Sequence, residues 1–354
     1  MNILHITATH LNPEGGVPVV LKELSDAQNR IDGVTSTVMS ISSPVDNIQS
    51  DSFVYSTKKH FPTSLSSLNP DIVVLHSFFY VDYNWVVQYL KKKRIPYYIE
   101  PHGSFGKDAI KKSGLKKRIA NATLFKKQIK YAKGFIFLNQ KEMTDSIYRT
   151  KNDLIIPNGI SKDKIKTNIN IGEDYSIYFI GRYDIHHKGL DYLFDALDIL
   201  DAKNYPLCIK MWGNGDEKTK AYLKSRAQGY TSVQLCVDGP IYGDMKNEQL
   251  ESIGPMILTS RYEGFPMTVL EAWAYGNPCI VTSGTNVGEE VVNNGLGWLT
   301  QTDPKEIAET IELSILDYLS FRYDYILKCK AYVKDHYDWD SIAKQSIILL
   351  SENK

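Results

Sequence analysis

The chain has 354 residues, of which 43% are hydrophobic and 23% are charged; this length suits two domains, and this composition excludes an intrinsically disordered chain. No apolar stretch approaches the roughly 20 residues of a membrane-spanning helix, and the first residues do not form the basic and then apolar segment of an export signal, so we expect a cytoplasmic protein. The formal net charge is zero, but residues 1–165 hold 23 basic and 14 acidic side chains, whereas residues 166–354 hold 18 and 27.

The first half of the chain alternates between strand and helix patterns. Residues 2–8 are predicted to form a strand, and a loop with Gly15 and Gly16 precedes a helix over residues 18–29. Further strands are predicted at residues 35–42, 72–76, 97–100, 134–138 and 153–156. Alternation of this kind indicates a parallel sheet covered by helices.

One segment of this half, from Lys107 to Lys133, carries ten basic residues and one acid, Asp108. Its apolar residues recur at helix-like intervals among the lysines, which predicts a basic amphipathic helix. Each lysine near an anionic leaflet contributes on the order of 1 kcal/mol, so several together would hold the chain reversibly at an anionic membrane surface. A solvated helix face is the alternative. Nucleic acid is not expected as a partner, because no recognition motif is present and the acidic half would repel it.

The second half begins the same alternation again. Strands are predicted at residues 176–181, 207–212, 233–237, 256–259 and 279–282, and helices at residues 189–200, 217–226, 247–253, 267–275, 288–294 and 304–319. The sequence turns polar and irregular near residues 161–173. We therefore predict an α/β protein with two Rossmann-like, doubly wound parallel-sheet domains, residues 1–162 and 173–335, facing each other across a cleft. Such domains bind ligands at the carboxyl ends of their strands.

Two loops at predicted strand ends suit phosphate groups. Gly15 and Gly16 precede a helix, where backbone N–H groups approach a phosphate and the helix dipole favours an anion; an ordinary turn is the alternative. Gly181 and Arg182 end a later strand, and Lys188 follows six positions after the arginine. Paired cations suit a diphosphate, whose charge grows as its bond to carbon breaks, although a surface ion pair has the same appearance.

A third loop is the most specific. Glu263 and Glu271 lie eight positions apart and flank a turn of Gly264, Phe265 and Pro266 that opens a helix. Carboxylates accept paired hydrogen bonds from the vicinal hydroxyls of a ribose or a hexose, and the free amides of a helix start bind further oxygens. The apolar neighbours of Glu271 predict a largely buried helix, in which a glutamate needs partners.

Three patterns that suggest a metal have simpler explanations. The adjacent His186 and His187 point in different directions in most loop conformations. The four cysteines lie 28, 43 and 50 positions apart without a Cys-x-x-Cys pair, which predicts free buried thiols. The run Asp338-Trp339-Asp340 matches a DxD metal signature, but its place at a predicted helix start favours N-capping. Since Arg182 and Lys188 supply positive charge, we expect no metal and no other cofactor.

Taken in chain order, these motifs resemble the retaining glycosyltransferases of family 4, which have the GT-B fold. The resemblance runs over nearly the whole chain, and the segment from Glu263 to Glu271, which matches the EX7E motif, is its most specific part. The other motifs that carry it are Gly15-Gly16, Pro101-His102-Gly103, Pro157-Asn158-Gly159-Ile160, Gly181-Arg182, Lys188-Gly189 and Gly213-Asn214-Gly215.

The resemblance implies roles for the matching residues. Glu271 would hold the ribose hydroxyls of a nucleotide sugar, Glu263 would contact the donor hexose, and His102 would lie beside the transferred sugar. Arg182 and Lys188 would stabilise the leaving diphosphate. The remaining implied donor-binding residues are Gly15, Gly16, Gly181, Gly264, Phe265, Pro266, Met267 and Thr268. The C-terminal helix, residues 338–354, would cross back onto the first domain, which receives the acceptor.

Two departures from the family pattern bear on these roles. Arg182 and Lys188 are one residue further apart than is usual, so the loop between them must bulge. Ser161 stands where the family normally has an acid after Pro-Asn-Gly and a hydrophobic residue.

The sequence thus predicts a hexosyltransferase that uses a nucleoside diphosphate sugar, with UDP favoured by family frequency. A lipid-linked saccharide is the expected acceptor, in capsule or exopolysaccharide synthesis at the inner face of the cell membrane. Three alternatives remain open: a nucleotide-sugar 2-epimerase of the same fold, a non-catalytic sugar-binding protein, and a nicotinamide-dependent dehydrogenase. The last is disfavoured because Lys218 stands where the dinucleotide fingerprint requires glycine.

Overall fold

The computed structural model describes residues 1–8, 16–44, 50–107, 125–165 and 175–352. The chain divides into two compact units. The first comprises Met1–Gly159 and Asp338–Lys354, and the second comprises Ile160–Tyr337. Each unit contains one parallel sheet with helices between its strands, so the predicted α/β class is confirmed.

The sheet of the first unit has seven strands in the described residues. They are β1 Asn2–Thr7, β2 Thr35–Ser40, β3 Phe53–Tyr55, β4 Ile72–His76, β5 Tyr97–Glu100, β6 Gly134–Phe137 and β7 Leu154–Ile155. Their spatial order is β3-β2-β1-β4-β5-β6-β7. The helices between them are α1 Gly16–Asn29, α2 Phe61–Leu68, α3 Tyr83–Lys93, α4 Lys126–Tyr131 and α5 Gln140–Asp145.

The core of this unit surrounds the central strands. Every residue of β4 is buried, as the uninterrupted apolar run of a strand covered on both faces requires. Aromatic rings fill the space beside the sheet: the ring of Phe105 lies edge to face with those of Phe78 and Phe135, at centroid distances of 4.8 and 5.2 Å. This arrangement is one that aromatic pairs prefer.

The sheet of the second unit has six parallel strands among the described residues. They are β8 Ile177–Ile180, β9 Leu207–Trp212, β10 Val233–Asp238, β11 Met256–Leu258, β12 Cys279–Thr282 and β13 Gly297–Thr300. Their spatial order is β10-β9-β8-β11-β12-β13. The helices are α6 Leu190–Ala202, α7 Glu217–Ala227, α8 Gly243–Ser252, α9 Met267–Tyr275, α10 Gly288–Asn293 and α11 Pro304–His336, and the 3-10 turns are Lys162–Lys164 and Ser283–Thr285.

The last helix of the chain, α12 Trp339–Glu352, belongs to the first unit. Asp338 accepts hydrogen bonds from the backbone N–H and the hydroxyl of Ser341, at 3.2 and 3.0 Å. This carboxylate therefore caps the helix, which confirms the capping interpretation of the Asp338-Trp339-Asp340 run. Asp340 instead pairs with Arg30, which directly follows α1, at 2.6 Å.

Several details differ from the sequence predictions. The helix predicted over residues 304–319 is present, and α11 continues beyond it to His336 after a kink at Phe321, whose φ of −127° and ψ of 25° are not helical. Two strands were not predicted, Phe53–Tyr55 and Gly297–Thr300; both are short and lie at sheet edges. Most of the basic segment from Lys107 to Lys133 lies outside the described residues, since residues 108–124 are not among them. Within the described ranges, no helix combines the length and apolar character needed to cross a bilayer.

Candidate functional site

The sheet topology of the second unit indicates where a ligand binds. Strand order reverses beside β8, which has β9 on one side and β11 on the other. Ligands of such sheets bind outside the carboxyl ends of the strands at this switch point. The segments that follow β8, β9 and β11 contain most of the residues singled out from the sequence.

Glycine residues let the backbones of these segments approach closely. A Cβ at Gly213, just after β9, would lie 2.2 Å from the carbonyl oxygen of Gly181. Gly189 has a φ of 61°, and a Cβ there would lie 2.0 Å from the carbonyl oxygen of Thr259. No other residue type fits these two positions without backbone movement, which explains the Gly213-Asn214-Gly215 and Lys188-Gly189 motifs physically.

A partly buried ion pair lies in the middle of this edge. Nζ of Lys188 is 2.6 Å from Oε1 of Glu263, and the hydroxyl of Ser260 donates to the same oxygen at 2.6 Å. The side chains of Lys188 and Glu263 are 13% and 11% exposed. The two predicted site residues, 75 positions apart in sequence, are thus in direct contact, and the carboxylate fixes the position of the ammonium group.

Arg182 is held by a residue that the sequence did not single out for this purpose. Its guanidinium lies 3.1 Å from Nδ1 of His187 and 3.8 Å from Asp184, and its side chain is 65% exposed. Nε2 of His187 lies 2.8 Å from the carbonyl oxygen of Tyr262. A carbonyl only accepts, so Nε2 donates to it and Nδ1 accepts from Arg182. The bulge expected between Arg182 and Lys188 therefore contains the residue that orients the arginine.

The protonation of His187 follows from its surroundings. Burial lowers its pKa and outweighs the opposite effect of the Glu263 carboxylate, while Lys188 and Arg182 lower it further. The ring is therefore neutral near pH 7 and retains the Nδ1 lone pair that accepts from Arg182. It also stacks on Tyr262 at a centroid distance of 4.5 Å.

Glu271 lies one turn into α9 and has a partner in α8. Nζ of Lys246 is 2.7 Å from Oε2 of Glu271, and the two side chains are 20% and 22% exposed. The sequence indicated that this glutamate needs a partner but did not identify Lys246, because pairing across two helices depends on the packing of α8 against α9. Among the described residues, no hydrogen bond to the other carboxylate oxygen, Oε1, is found, so this oxygen can accept from a further donor.

The turn before α9 presents backbone amides. Phe265 and Pro266 are buried, whereas Gly264, Met267 and Thr268 are partly exposed. Pro266 occupies the N-cap position and makes no side-chain cap hydrogen bond. The side-chain amide of Asn286 donates to the carbonyl oxygen of Glu263 at 2.6 Å and holds the turn in place. The amide of Val269 donates to the carbonyl oxygen of Pro266 at 3.0 Å. The first amides of a helix, here those of Met267 and Thr268, lack partners within it, an arrangement that suits an anion.

The remaining predicted site residues belong to the first unit. Gly16 is the first residue of α1 and is exposed, and Gly15 lies outside the described residues. His102 follows β5, and burial lowers its pKa to about 4. Burial, with a contribution from the nearby Glu142, raises the pKa of Glu100 well above its usual range.

One group in the described part of the chain has the arrangement of metal ligands. Ring nitrogens of His76 and His102 and a carboxylate oxygen of Glu100 lie within 4.8 Å of one another. The sequence did not indicate this group, because His76 is spaced 26 positions from His102 in a strand that is otherwise apolar. Its chemistry is considered separately below.

Part of the chain matches a known protein family. Residues 161–330 match the family described as "Glycosyl transferases group 1". An uncharacterized glycosyltransferase of Methanocaldococcus jannaschii is 30% identical over 58% of this chain and 56% of its own length. The N,N'-diacetylbacillosaminyl-diphospho-undecaprenol alpha-1,3-N-acetylgalactosaminyltransferase of Campylobacter jejuni is 26% identical over 72% of this chain and 75% of its own length.

Solved structures match over almost the entire chain. Sucrose-phosphate synthase from Thermosynechococcus elongatus and Anabaena HepE in complex with UDP-glucose have TM-scores of 0.76 and 0.75. Each is 16% identical to this chain, and each match covers 99% of both chains. The fold is therefore GT-B, as predicted, and the family match together with the named relatives supports a glycosyltransferase.

Proposed function

We propose that the protein transfers a hexosyl unit from a nucleoside diphosphate sugar to a hydroxyl group, with retention of anomeric configuration. The observation that carries this proposal is the Lys188–Glu263 pair at 2.6 Å, beside Arg182 and the start of α9. A guanidinium, an ammonium group and helix N-terminal amides together suit a diphosphate. The match of residues 161–330 to a glycosyltransferase family supports this use of the site.

The proposed reaction needs no nucleophile from the protein. The bond between the sugar C1 and the diphosphate oxygen breaks, and the bond from C1 to the acceptor oxygen forms on the same face. The acceptor proton passes to the departing diphosphate oxygen. Glu263 is poorly suited to attack C1, because Lys188 and Ser260 already contact its Oε1.

Catalysis then rests on stabilising the charge of the departing diphosphate. Lys188 retains two further N–H bonds beyond the one it gives to Glu263, and the Arg182 guanidinium is exposed for a ligand. Because these two side chains supply the positive charge, we infer that the transfer requires no divalent ion at the diphosphate.

The substrates are inferred from the named similar proteins. HepE, whose fold this chain shares, was solved with UDP-glucose, which supports a UDP-sugar donor. The name of the Campylobacter relative specifies a saccharide on diphospho-undecaprenol, which supports a lipid-linked saccharide acceptor. We place the reaction in cell-surface polysaccharide synthesis, with the protein peripheral at the cytoplasmic face of the membrane.

The donor is tested by thermal-shift and calorimetric titration of the full chain with UDP-, GDP- and dTDP-sugars. We expect one nucleotide sugar to bind, and a lipid-linked saccharide to be glycosylated in its presence. Nuclear magnetic resonance of the product reports the anomeric configuration. Absence of binding to every nucleotide sugar contradicts the proposal, and donor epimerisation without an acceptor favours the epimerase instead.

The proposed ribose contact makes a separate prediction for Glu271. Replacement by glutamine keeps the shape but removes the negative charge, so a charge-assisted hydrogen bond of about 1.5–3 kcal/mol is lost. We expect donor affinity to fall by roughly 10-fold or more in Glu271→Gln, measured by calorimetry. Glu289→Gln, on α10, is the matched control. An unchanged affinity in Glu271→Gln contradicts the ribose contact.

A further inference from the structure

Three side chains converge at the carboxyl end of the sheet in the first unit. His76 ends β4 and Glu100 ends β5, and these two residues are direct partners in the parallel register. His102 follows in the left-handed region, with a φ of 48°. The side chains of His76, Glu100 and His102 are 0%, 7% and 13% exposed, so their polar atoms must satisfy one another or a bound group.

A chain of hydrogen bonds determines how the nearby His5 is oriented. It starts on α12, where the Ser346 hydroxyl donates to the carbonyl oxygen of Ala343 and therefore accepts from Nε2 of Gln28, at 3.0 Å. The amide oxygen of Gln28 consequently faces Nε2 of His5, 3.0 Å away, and that oxygen only accepts. The neutral His5 ring therefore donates from Nε2 and accepts at Nδ1.

The orientation of His5 in turn fixes His76. Nδ1 of His5 lies 2.8 Å from Nε2 of His76, which must carry the hydrogen of this bond. The lone pair of a neutral His76 is then on Nδ1, where Nε2 of His102 is 3.2 Å away and Oε2 of Glu100 is 3.3 Å away. The unprotonated Nδ1 of His76 thus faces His102 and the carboxylate of Glu100.

When Glu100 is ionised, hydrogen bonds among the three side chains leave an unfavourable contact. A hydrogen on Nε2 of His102 would satisfy His76, but it would leave the lone pair of His102 Nδ1 facing Oε1 of Glu100 at 3.5 Å. The other neutral tautomer of His102 leaves two lone pairs facing each other between the rings. A proton on Glu100, which would then donate to Nδ1 of His102, removes the first contact, whereas a cation held by all three groups removes both.

Two of the three separations match those of neighbouring ligands around one ion, and all three ligand atoms lie within 4.8 Å of one another. In a tetrahedral zinc site with bonds of about 2.0–2.1 Å, neighbouring ligand atoms are about 3.3 Å apart. Nδ1 of His76 lies 3.2 and 3.3 Å from the nearest nitrogen of His102 and oxygen of Glu100. Two histidines and one glutamate also form a known zinc ligand set that keeps a fourth position open.

The surroundings support the same ligands. His5 accepts the other ring N–H of His76, the type of contact that orients histidines on a metal. Glu142, 3% exposed, accepts the backbone N–H groups of Gly103 and Leu138 at 2.5 and 2.7 Å. It therefore holds the loop that carries His102 and adds negative charge near Glu100.

We propose that His76, Glu100 and His102 form a binding site for Zn²⁺, with Nδ1 of His76, Nε2 of His102 and one Glu100 oxygen as its ligands. With Nε2 on the ion, Nδ1–H of His102 is directed at Oε1 of Glu100. A further consequence rests on the proposed function: a bound ion withdraws His102 from the sugar, so Zn²⁺ slows transfer.

The binding is measured on the full chain after treatment with a chelator. Titration with Zn²⁺ against a chromophoric chelator is expected to show one equivalent bound, confirmed by elemental analysis of the dialysed protein. Substitution with Co²⁺ is expected to give the visible absorption of a tetrahedral or five-coordinate ion. Failure of the wild-type chain to bind one equivalent of either ion overturns the proposal. The three side chains would then share a proton instead of holding a metal ion.

Variants identify the ligands. We expect Glu100→Gln and His102→Ala each to weaken Zn²⁺ binding by more than about 100-fold, since loss of an outer contact alone costs 10- to 100-fold. His60→Ala is the matched control, because His60 is an exposed histidine of the same unit; its affinity is expected to be unchanged. Circular dichroism establishes that each variant is folded. Equal affinity in the wild type and the two ligand variants, or an equal loss in His60→Ala, overturns the assignment.

The effect on transfer is a second measurement. Zn²⁺ is expected to inhibit the wild type and chelation to restore it, whereas Glu100→Gln loses the sensitivity to Zn²⁺. The titrations require no transferase activity, so failure of the proposed function and failure of the zinc site are distinguishable. Zinc binding without inhibition retains the site and contradicts only its link to His102 and the sugar.

Discussion

Individual charged side chains of the candidate donor site are oriented by specific acceptors. Glu263 holds Lys188, His187 holds Arg182, and Glu271 is paired with Lys246. Such contacts keep donors in place before a ligand arrives, and preorganised charge contributes most to stabilising a transition state. The effect of each substitution therefore depends on whether it removes the charge or only its orientation.

Removal of the Arg182 charge is expected to slow the chemical step. The loss of one group that stabilises developing negative charge costs roughly 10²–10³-fold in turnover, so Arg182→Ala should show a decrease of this size at saturating donor. Arg226→Ala is the control, because Arg226 pairs with Asp198 on the surface of the same unit. Near-normal turnover of Arg182→Ala would mean that the guanidinium does not act on the diphosphate.

Loss of orientation alone is tested at His187. Phenylalanine retains the ring that stacks on Tyr262 but removes both hydrogen bonds, and we expect His187→Phe to lower kcat by roughly 10-fold, the effect of losing one hydrogen bond to a charged group. The neighbouring His186 is exposed, so His186→Phe should leave kcat unchanged. Equal effects of the two substitutions contradict the positioning role of His187.

The same residue predicts a pH dependence. The pKa of His187 is lowered in the folded chain, so the unfolded chain binds this proton more readily, and stability declines as the pH falls below about 6.5. Protonation also removes the Nδ1 lone pair and adds a cation between Arg182 and Lys188, while Glu263 and Asp184 partly offset that charge. We therefore expect kcat of the wild type to decrease as the pH falls through this range. In His187→Phe, this decrease of kcat is expected to be absent. The same decrease of kcat at low pH in both proteins contradicts the role of His187 in this pH dependence.

At the scale of elements, close approach of strand ends builds the site. Gly181 and Gly213 follow the neighbouring strands β8 and β9, and a Cβ on Gly213 would meet the Gly181 carbonyl oxygen at 2.2 Å. Gly213→Ala must move backbone rather than a flexible side chain. We expect a loss of about 1–3 kcal/mol in the free energy of unfolding, the usual cost of overpacking, measured by urea denaturation.

A matched control for this substitution lies after the next strand. Gly239 follows β10 and has no atom within 4 Å of an added Cβ. Gly239→Ala is therefore expected to change the free energy of unfolding by less than about 0.5 kcal/mol. A similar loss in both variants would show that the contact with Gly181 does not determine the cost, since the lower entropy of the unfolded chain stabilises an alanine variant.

The sequence predicted the elements better than the contacts between them. Alternating strand and helix patterns were sufficient for both parallel sheets, since buried strands are apolar runs bounded by turns. The motif from Glu263 to Glu271 identified a loop and the start of α9 because its glycine, proline and acids have local causes. The partners Lys246 of Glu271 and His187 of Arg182 were not predicted, because they depend on how helices and loops pack. The cluster of His76, Glu100 and His102 was missed for the same reason.

At the scale of the whole molecule, charge is unevenly distributed along the chain. Residues 1–165 have 23 basic and 14 acidic side chains, and ten of the basic ones lie between Lys107 and Lys133. In the described part of this segment, Lys126, Lys127 and Lys130 are exposed on α4. An enzyme that acts on the proposed lipid-linked acceptor would benefit from such a surface, because anionic lipids attract nearby lysines.

Membrane attachment is tested by flotation with vesicles that contain anionic lipid. We expect the chain to float with anionic but not with neutral vesicles and to be released as salt rises, since screening shortens the range of exposed charges. Replacement of Lys126, Lys127 and Lys130 by glutamine removes about 1 kcal/mol for each lysine, so the partition coefficient should fall at least 10-fold. The control replaces Lys218, Lys220 and Lys224 on α7, which changes the net charge equally but lies in the other unit. Equal losses in the two triple variants would show that net charge alone acts, and binding that ignores both lipid charge and salt would exclude an electrostatic membrane surface.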